Sequence, residues 1–168
     1  MRMFHELLDS NRQYAQSFDL GGVPARAARS FALLTCMDSR IEPLVMLGLR
    51  PGDAKILRNA GGRVTPDALR SLVFATTFLG VTHVAVMHHS DCALAHRSDA
   101  QVRSSLSGAQ RHAVRDWDLL VMPDPDAALA ADVQAVRSCE ALSAGVVVVG
   151  WRYDVGTGLV QEIVPPGC

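Results

Sequence analysis

The chain has 168 residues, of which 49% are hydrophobic and 20% charged, and its 16 Lys and Arg nearly balance its 17 Asp and Glu. A chain of this length can form one domain that is stable without a disulfide framework, so we expect a single domain over residues 1–168. The balanced charge excludes recruitment of nucleic acid or of an acidic membrane by bulk charge, which leaves a small molecule as the expected partner.

The amino-terminal residues 4–18 are predicted to form an amphipathic helix. They lack the apolar core of a secretory signal, and no part of the sequence approaches the roughly 20 apolar residues that a membrane span requires. We therefore expect a cytoplasmic protein without a membrane segment. The cysteines are too few and too unevenly spaced for a secreted disulfide scaffold, and in a reducing compartment thiols more often bind metal or stay free. They are Cys36, Cys92, Cys139 and Cys168.

Four short apolar runs predict β-strands that are covered on both faces. They are residues 31–35, 54–57, 83–87 and 145–149. Segments with helical spacing follow the second and precede the fourth, at 66–80 and 126–144, and alternation of strands with helices indicates a parallel sheet. A further run at 159–164 follows a turn-rich segment and could form an antiparallel edge strand. The predicted fold class is therefore α/β, with a central parallel sheet of about four strands flanked by helices.

The helix at 66–80 has the clearest predicted boundaries. Thr65 is a suitable N-cap, Pro66 suits the first turn and Gly80 suits the C-terminal stop. Its inward stripe is predicted to comprise Leu69, Leu72, Val73, Thr76 and Leu79. By contrast, residues 97–117 are polar and without a clear period, and we predict a mobile loop there.

Metal-binding residue types follow two of the predicted strands. Cys36 comes directly after the first strand, and His89 and Cys92 follow the third. Ligands bind outside the carboxyl ends of strands in an open parallel sheet, and neighbouring strands lie about 4.8 Å apart, so these groups can converge on one ion. Two cysteines and one histidine suit Zn²⁺ and leave a fourth tetrahedral position open for water, as in catalytic sites.

Asp38 and Arg40 lie just beyond Cys36. Two thiolates reduce the charge of the metal, so lowering the pKa of a bound water toward neutrality needs further help. A carboxylate could accept the proton of a hydroxide on the metal and orient its lone pair, while a bidentate guanidinium would hold that carboxylate away from the metal. If the pair breaks, Asp38 could become the fourth ligand and close the site.

Together these motifs resemble the signature of the beta-class carbonic anhydrases. The resemblance rests on Cys-x-Asp-x-Arg from Cys36, on Arg-Asn-Ala-Gly-Gly at 58–62 and on His-x-x-Cys from His89. It covers most of residues 30–95, and the short chain with its His-Ser-Asp-Cys run is most similar to the compact bacterial branch of the family. It implies reversible hydration of carbon dioxide to bicarbonate and a proton, with one Zn²⁺ per chain.

The resemblance also implies roles for single residues and an assembly. The zinc ligands would be Cys36, His89 and Cys92, the catalytic dyad Asp38 and Arg40, and the substrate-pocket residues Ala60, Gly61 and Gly62. Family members form homodimers or homotetramers, with the site close to the subunit interface and the amino-terminal helix embracing the partner. The family usually has Gly after the second cysteine, where this chain has Ala93 as a pocket residue. Its methyl group would narrow or strain the pocket if that backbone needs a positive φ.

Two other functions are compatible with the sequence. The same scaffold and metal support hydrolysis of carbonyl sulfide or carbon disulfide, and Ala93 and residues 97–117 are where such a change of substrate would be made. A non-catalytic zinc protein, in which Asp38 closes the fourth position permanently, is the alternative from another class. Arg40 argues against this non-catalytic alternative. An arginine that pulls Asp38 away from the metal would serve no purpose at a site where Asp38 is a permanent ligand.

Residues next to the motifs also have structural interpretations. His88 is expected to pack away from the ligands, with the alternative that it replaces His89 as a ligand. Asp91 is expected to cap a following helix. His96 is expected at the surface, with proton relay from the site as the minor alternative. The two cysteines beyond the site are expected to be a buried thiol and a frayed terminus.

Overall fold

Five β-strands form one sheet in the computed structural model, which describes residues 2–168. In chain order they are β1 (Phe31–Cys36), β2 (Ala54–Asn59), β3 (His83–His89), β4 (Val147–Tyr153) and β5 (Val160–Gly167). Their order across the sheet is β2-β1-β3-β4-β5, with β1 to β4 parallel and β5 antiparallel to β4. The predicted α/β fold, with a parallel core of four strands and an antiparallel edge strand, is confirmed.

Six α-helices are present among the described residues. They are α1 (Arg2–Ala15), α2 (Pro43–Met46), α3 (Pro66–Phe78), α4 (Asp99–Ser104), α5 (Gly108–Ala113) and α6 (Pro125–Arg137). Within residues 2–168, none of them has both the length and the apolar character that crossing a membrane would demand.

The three helices predicted from the sequence correspond to α1, α3 and α6, with different ends. At the start of α3 the Thr65 side chain accepts a hydrogen bond from the N–H of Ala68, as the N-cap prediction requires. At the start of α6 the Asp124 carboxylate accepts from two backbone N–H groups. The prediction that this helix continues to residue 144 was wrong, because the chain turns after Arg137 and reaches β4 through Gly145 at φ 77°.

Residues 97–117 are more regular than predicted, because they contain α4 and α5. Each helix begins with a capping box, in which a serine side chain accepts from the N–H of a glutamine three residues on and that glutamine bonds back to the serine N–H. The pairs are Ser98 with Gln101 and Ser107 with Gln110. The prediction of an irregular segment overlooked this Ser-x-x-Gln signal, which occurs twice.

The sheet buries apolar side chains on both faces. α3 and α6 cover one face with residues such as Leu72 and Val133, and the other face holds a second cluster that includes Leu33 and Met87. On α3 the buried side chains are Ala68, Leu72, Ala75 and Thr76. The predicted inward stripe therefore holds for Leu72 and Thr76, while its other three members are only partly buried.

The register of the strands brings their carboxyl ends to one edge of the sheet. Cys36, the last residue of β1, pairs with Asn59, the last residue of β2. Thr35 pairs with Met87, so β3 extends two residues further and ends at His89. The turn after β2 and the turn after β3 therefore both start next to Cys36.

Candidate metal centre

Three buried side chains at this edge could hold one metal ion. Cys36, His89 and Cys92 present ligand atoms that all lie within 4.8 Å of one another. Cys36 is supplied by the end of β1, His89 by the end of β3, and Cys92 by the turn that follows β3. The structure thus brings together the three side chains that the sequence proposed as ligands. His88, the alternative ligand, is not part of this group.

The donor atoms of the cluster fit a soft divalent cation. Neither ring nitrogen of the buried His89 has a hydrogen-bond partner among the described residues, which is a costly arrangement unless an ion is bound. The neighbouring Cys92 lowers the pKa of Cys36 to about 4, against the opposing effect of burial. The Cys36 thiolate and burial in turn raise the pKa of Cys92. The cluster thus offers two sulfur atoms and one imidazole nitrogen, and Zn²⁺ accepts this set of ligands.

Asp38 is held beside the cluster by Arg40 rather than joining it. The Arg40 Nε and Nη2 atoms donate to the two carboxylate oxygens of Asp38 at 2.9 and 2.8 Å. The Arg40 backbone N–H donates to the same carboxylate at 2.9 Å. These hydrogen bonds hold the pKa of Asp38 well below its usual range, so the carboxylate is ionised at neutral pH.

Asp91 does not cap a helix, and that prediction was wrong. Residues 90–98 contain no helix, and Asp91 has a left-handed backbone with φ 55°. The Asp91 carboxylate instead accepts a hydrogen bond from Arg40 Nη1 at 2.7 Å. No helix follows until α4, and the Asp91 carboxylate forms an ion pair across the site with Arg40.

Arg58 is a site residue that the sequence did not single out beyond its motif. It comes near the end of β2, where Asn59 lies beside Cys36, and its side chain reaches across to β1. Arg58 Nε donates to the carbonyl of Cys36 at 3.0 Å, and Nη2 donates to the carbonyl of Asp38 at 2.6 Å. The two bonds fix the backbone on both sides of Met37 and hence the positions of Cys36 and Asp38.

A cavity of about 250 Å³ opens beside Cys36, His89 and Cys92. Ala60, Gly61 and Ala93 are among its lining residues, together with Asp38 and the apolar side chain of Leu94. The backbone of Ala93 is not left-handed, unlike that of Asp91. The methyl group of Ala93 therefore lines the cavity without straining the chain.

Gly62 lies behind this cavity and is not among its lining residues. Its φ is 68°, and a Cβ at this position would lie 2.9 Å from the carbonyl oxygen of Met87 and 2.9 Å from the carbonyl carbon of Thr35. Only glycine allows this close approach of the turn to β1 and β3. Gly61 thus lines the cavity, whereas Gly62 allows the turn to pack against the sheet.

His88 points away from the cluster, as predicted, into a buried polar network. Its Nε2 lies 3.0 Å from Asp132 Oδ2, and Arg63 Nε donates to the same oxygen at 2.6 Å. Arg63 also donates to the carbonyl of Leu120. The network joins β3, the turn after β2 and α6 directly behind the candidate metal ligands. His96 is exposed, also as predicted.

The family model, a curated relative and a solved structure that match this chain are all carbonic anhydrases. A family model described as carbonic anhydrase matches residues 31–160. Beta-carbonic anhydrase 1 of Mycobacterium tuberculosis is 28% identical over 166 residues, which are 98% of this chain and 100% of that protein. A carbonic anhydrase crystal structure from Streptococcus mutans has 34% sequence identity and a TM-score of 0.89, and the match covers 97% of this chain and 98% of that chain. A carbon disulfide hydrolase from Acidianus sp. is 40% identical over 95 residues, 55% of this chain and 46% of that protein.

Proposed function

The chain belongs to the beta-class carbonic anhydrase family, and from this premise we propose that it is a zinc enzyme that hydrates carbon dioxide reversibly to bicarbonate and a proton. The observation that carries the proposal is the buried group of Cys36, His89 and Cys92 beside an ionised carboxylate and a small cavity. We further propose that residues 1–168 act as one zinc domain in the cytoplasm, where a reducing environment keeps the thiols free.

Each group of the site has a task in this reaction. Bound zinc would supply a Lewis acid that lowers the pKa of water toward neutrality. Asp38 then accepts a hydrogen bond from the attacking hydroxyl and directs its free lone pair toward the carbon of carbon dioxide. Arg40 would keep the Asp38 carboxylate away from Cys36, His89 and Cys92, so that water could reach an ion held by these three residues. The cavity beside Leu94, at about 250 Å³, has room for a linear triatomic molecule, and Leu94 gives it an apolar wall.

The replacement of Asp38 by Asn tests this assignment. Asn keeps the size of the side chain but accepts hydrogen bonds less strongly and pairs with Arg40 more weakly, so hydroxyl orientation is lost. We expect kcat/KM for carbon dioxide to fall by about 100- to 10 000-fold, the range for a positioned acid or base group, with one zinc per chain retained. Stopped-flow hydration assays and metal analysis on the same samples measure both quantities. Undiminished turnover in a zinc-replete Asp38→Asn protein would refute the role of Asp38.

Carbon disulfide hydrolysis is the second candidate function, because two relatives at 40% identity over 95 residues are carbon disulfide hydrolases. Carbon dioxide is favoured because the Streptococcus mutans carbonic anhydrase structure matches with 34% identity and a TM-score of 0.89, whereas a carbon disulfide hydrolase structure that covers 94% of this chain has 27% identity and a TM-score of 0.67. Parallel assays of carbon dioxide, carbonyl sulfide and carbon disulfide on the wild-type protein decide the substrate.

A non-catalytic role, with Asp38 as a permanent fourth ligand, is disfavoured because Asp38 forms a bidentate pair with Arg40.

We also infer that the protein is a homodimer or homotetramer in which α1 packs against a neighbouring copy. None of the residues of α1 is buried, although the helix carries an apolar stripe that includes Phe4 at 63% exposure and Leu8 at 54%. A helix of 14 residues is marginal in water without tertiary packing. The sheet face around Phe31 and Trp151 also lines an open cavity of about 590 Å³. Apolar surfaces on both elements are what an interface between copies would cover.

A charge introduced into this stripe tests the assembly. We expect a Phe4→Glu/Leu8→Glu double variant to elute as a smaller species than the wild type in size-exclusion chromatography with light scattering, because burial of two carboxylates in an apolar interface is unfavourable. Gln13→Glu, on the opposite side of α1, is the matched control and should leave the mass unchanged. A monomeric wild-type protein, or a double variant of unchanged mass, would contradict the inference.

A further inference from the structure

The guanidinium of Arg40 lies between two carboxylates from distant parts of the chain. Its Nε and Nη2 atoms bind Asp38, two residues away. On its other side Nη1 donates to Asp91 Oδ2 at 2.7 Å and Nη2 donates to the Asp91 carbonyl at 3.2 Å. Arg40 thus uses all three guanidinium nitrogens on two partners, and Asp91 lies in the turn after β3.

The position of Asp91 is determined by elements other than β1. The preceding Ser90 donates its backbone N–H to the carbonyl of Tyr153 at 2.9 Å, and its side chain accepts from the N–H of Val155 at 3.0 Å. Asp91 follows with its left-handed backbone, and the ligand Cys92 comes next. Asp91 is therefore anchored through β4 and aligned with the same turn that presents Cys92.

Without this second partner, Arg40 would be held only by the neighbouring Asp38. The Arg40 side chain is 43% exposed, so solvent competes for its hydrogen bonds and the flexible stem can carry the guanidinium outward. An Arg40 that moves outward leaves the Asp38 carboxylate free to change its orientation. An anchor from the β3 turn removes that freedom.

We propose that Asp91 is a positioning residue, which fixes the guanidinium of Arg40 and through it the orientation of the Asp38 carboxylate over the cavity. This inference rests on the proposed function and deepens it, because it adds a third member to the pair that directs the reacting hydroxyl. Asp91 acts through Arg40 and does not touch the reacting atoms.

The Asp91→Asn variant removes the charge and keeps the shape. Asp91 is 78% exposed, and exposed ion pairs are individually weak, so we expect kcat to fall by about fivefold with KM and zinc content unchanged. The Nε–H of Arg40 should exchange with solvent about fivefold faster, as measured by NMR on both metal-free and zinc-loaded protein. Asp91→Glu should restore both values in part. Asp67→Asn is the matched control, because Asp67 is 77% exposed and pairs with Arg70 away from the site.

A double-mutant cycle with Arg40→Gln separates positioning from general stabilisation of the turn. If Asp91 acts through Arg40, adding Asp91→Asn to Arg40→Gln changes kcat no further. A fivefold loss that persists in the Arg40→Gln background would overturn the proposal, as would unchanged exchange of the Arg40 Nε–H in Asp91→Asn. A wild-type protein without hydration activity would refute the proposed function, and the exchange rates would still decide whether Asp91 holds Arg40.

Discussion

Replacement of Cys36 by Ser is expected to abolish zinc binding at the site and, with it, measurable carbon dioxide hydration. The serine hydroxyl does not ionise at neutral pH, whereas the pKa of Cys36 is lowered to about 4 even without a metal. Loss of a group that merely orients a ligand already costs roughly 10- to 100-fold in metal affinity, so loss of an anionic ligand must cost more. The two remaining protein ligands, His89 and Cys92, form too small a set for a stable tetrahedral site.

Metal analysis after dialysis against a weak chelator measures this effect, with the hydration assay on the same sample. Cys139→Ser is the matched control, because this half-buried thiol lies outside the ligand group and should leave zinc and activity unchanged. The fold should survive in Cys36→Ser, since the sheet is built from apolar contacts, and circular dichroism checks this. A Cys36→Ser protein that retains one zinc per chain and full activity would exclude Cys36 as a ligand.

The approach of Cys36 to His89 could be predicted because it follows from local patterns and one general rule. Short apolar runs located β1 and β3, and parallel neighbours deliver their carboxyl ends to the same edge of a sheet. The observed register, in which Thr35 pairs with Met87, leaves the residues after each strand side by side. Local periodicity therefore sufficed for the fold class and for the convergence of the three thiol and imidazole groups.

The contacts of the arginines around the site could not be predicted in the same way. The side chains of Arg58 and Arg40 form hydrogen bonds with residues 20 and 51 positions away. Local hydrophobic periodicity carries no information about such contacts. The sequence contained a hint for Arg58 alone, since it lies next to the residue of β2 that pairs with Cys36. Asp91 was misassigned because an aspartate before a cysteine resembles an N-cap, and its left-handed backbone is visible only in three dimensions.

The buried network of His88, Asp132 and Arg63 also could not be predicted from local sequence patterns. His88 was predicted to point away from the ligands from strand alternation, but its partner Asp132 lies on α6, 44 residues later. A carboxylate on an Ala-rich helix gives no signal of its own that it is buried. The Arg63 side chain meets the same carboxylate from 69 residues away. Only the packing of α6 on the sheet reveals this network.

Because Asp132 is buried in the network with His88 and Arg63, we expect Asp132→Ala to lose much stability. The Asp132 carboxylate accepts from Arg63 Nε and lies beside His88 Nε2, and the side chains of Asp132 and Arg63 are only 7% and 10% exposed. Removal of one partner of a buried ion pair leaves an uncompensated charge, here that of Arg63, so we expect a loss of about 3–5 kcal/mol in the free energy of unfolding. Urea denaturation at fixed protein concentration measures it, with the exposed Asp67→Ala within about 0.5 kcal/mol of wild type as the control.

The stability lost in Asp132→Ala is expected to depend on pH in a defined direction. Burial raises the pKa of Asp132, but the hydrogen bonds and charges of His88 and Arg63 outweigh it and lower the pKa overall. A carboxyl whose folded-state pKa is depressed contributes stability above its unfolded pKa of about 3.9, and that contribution is lost as the pH falls through the folded pKa. The difference between wild type and Asp132→Ala should therefore be full at pH 7 and shrink below about pH 4. A loss under about 1 kcal/mol at pH 7, or one that grows on acidification, would show that the charge on Asp132 does not stabilise the fold behind the metal ligands.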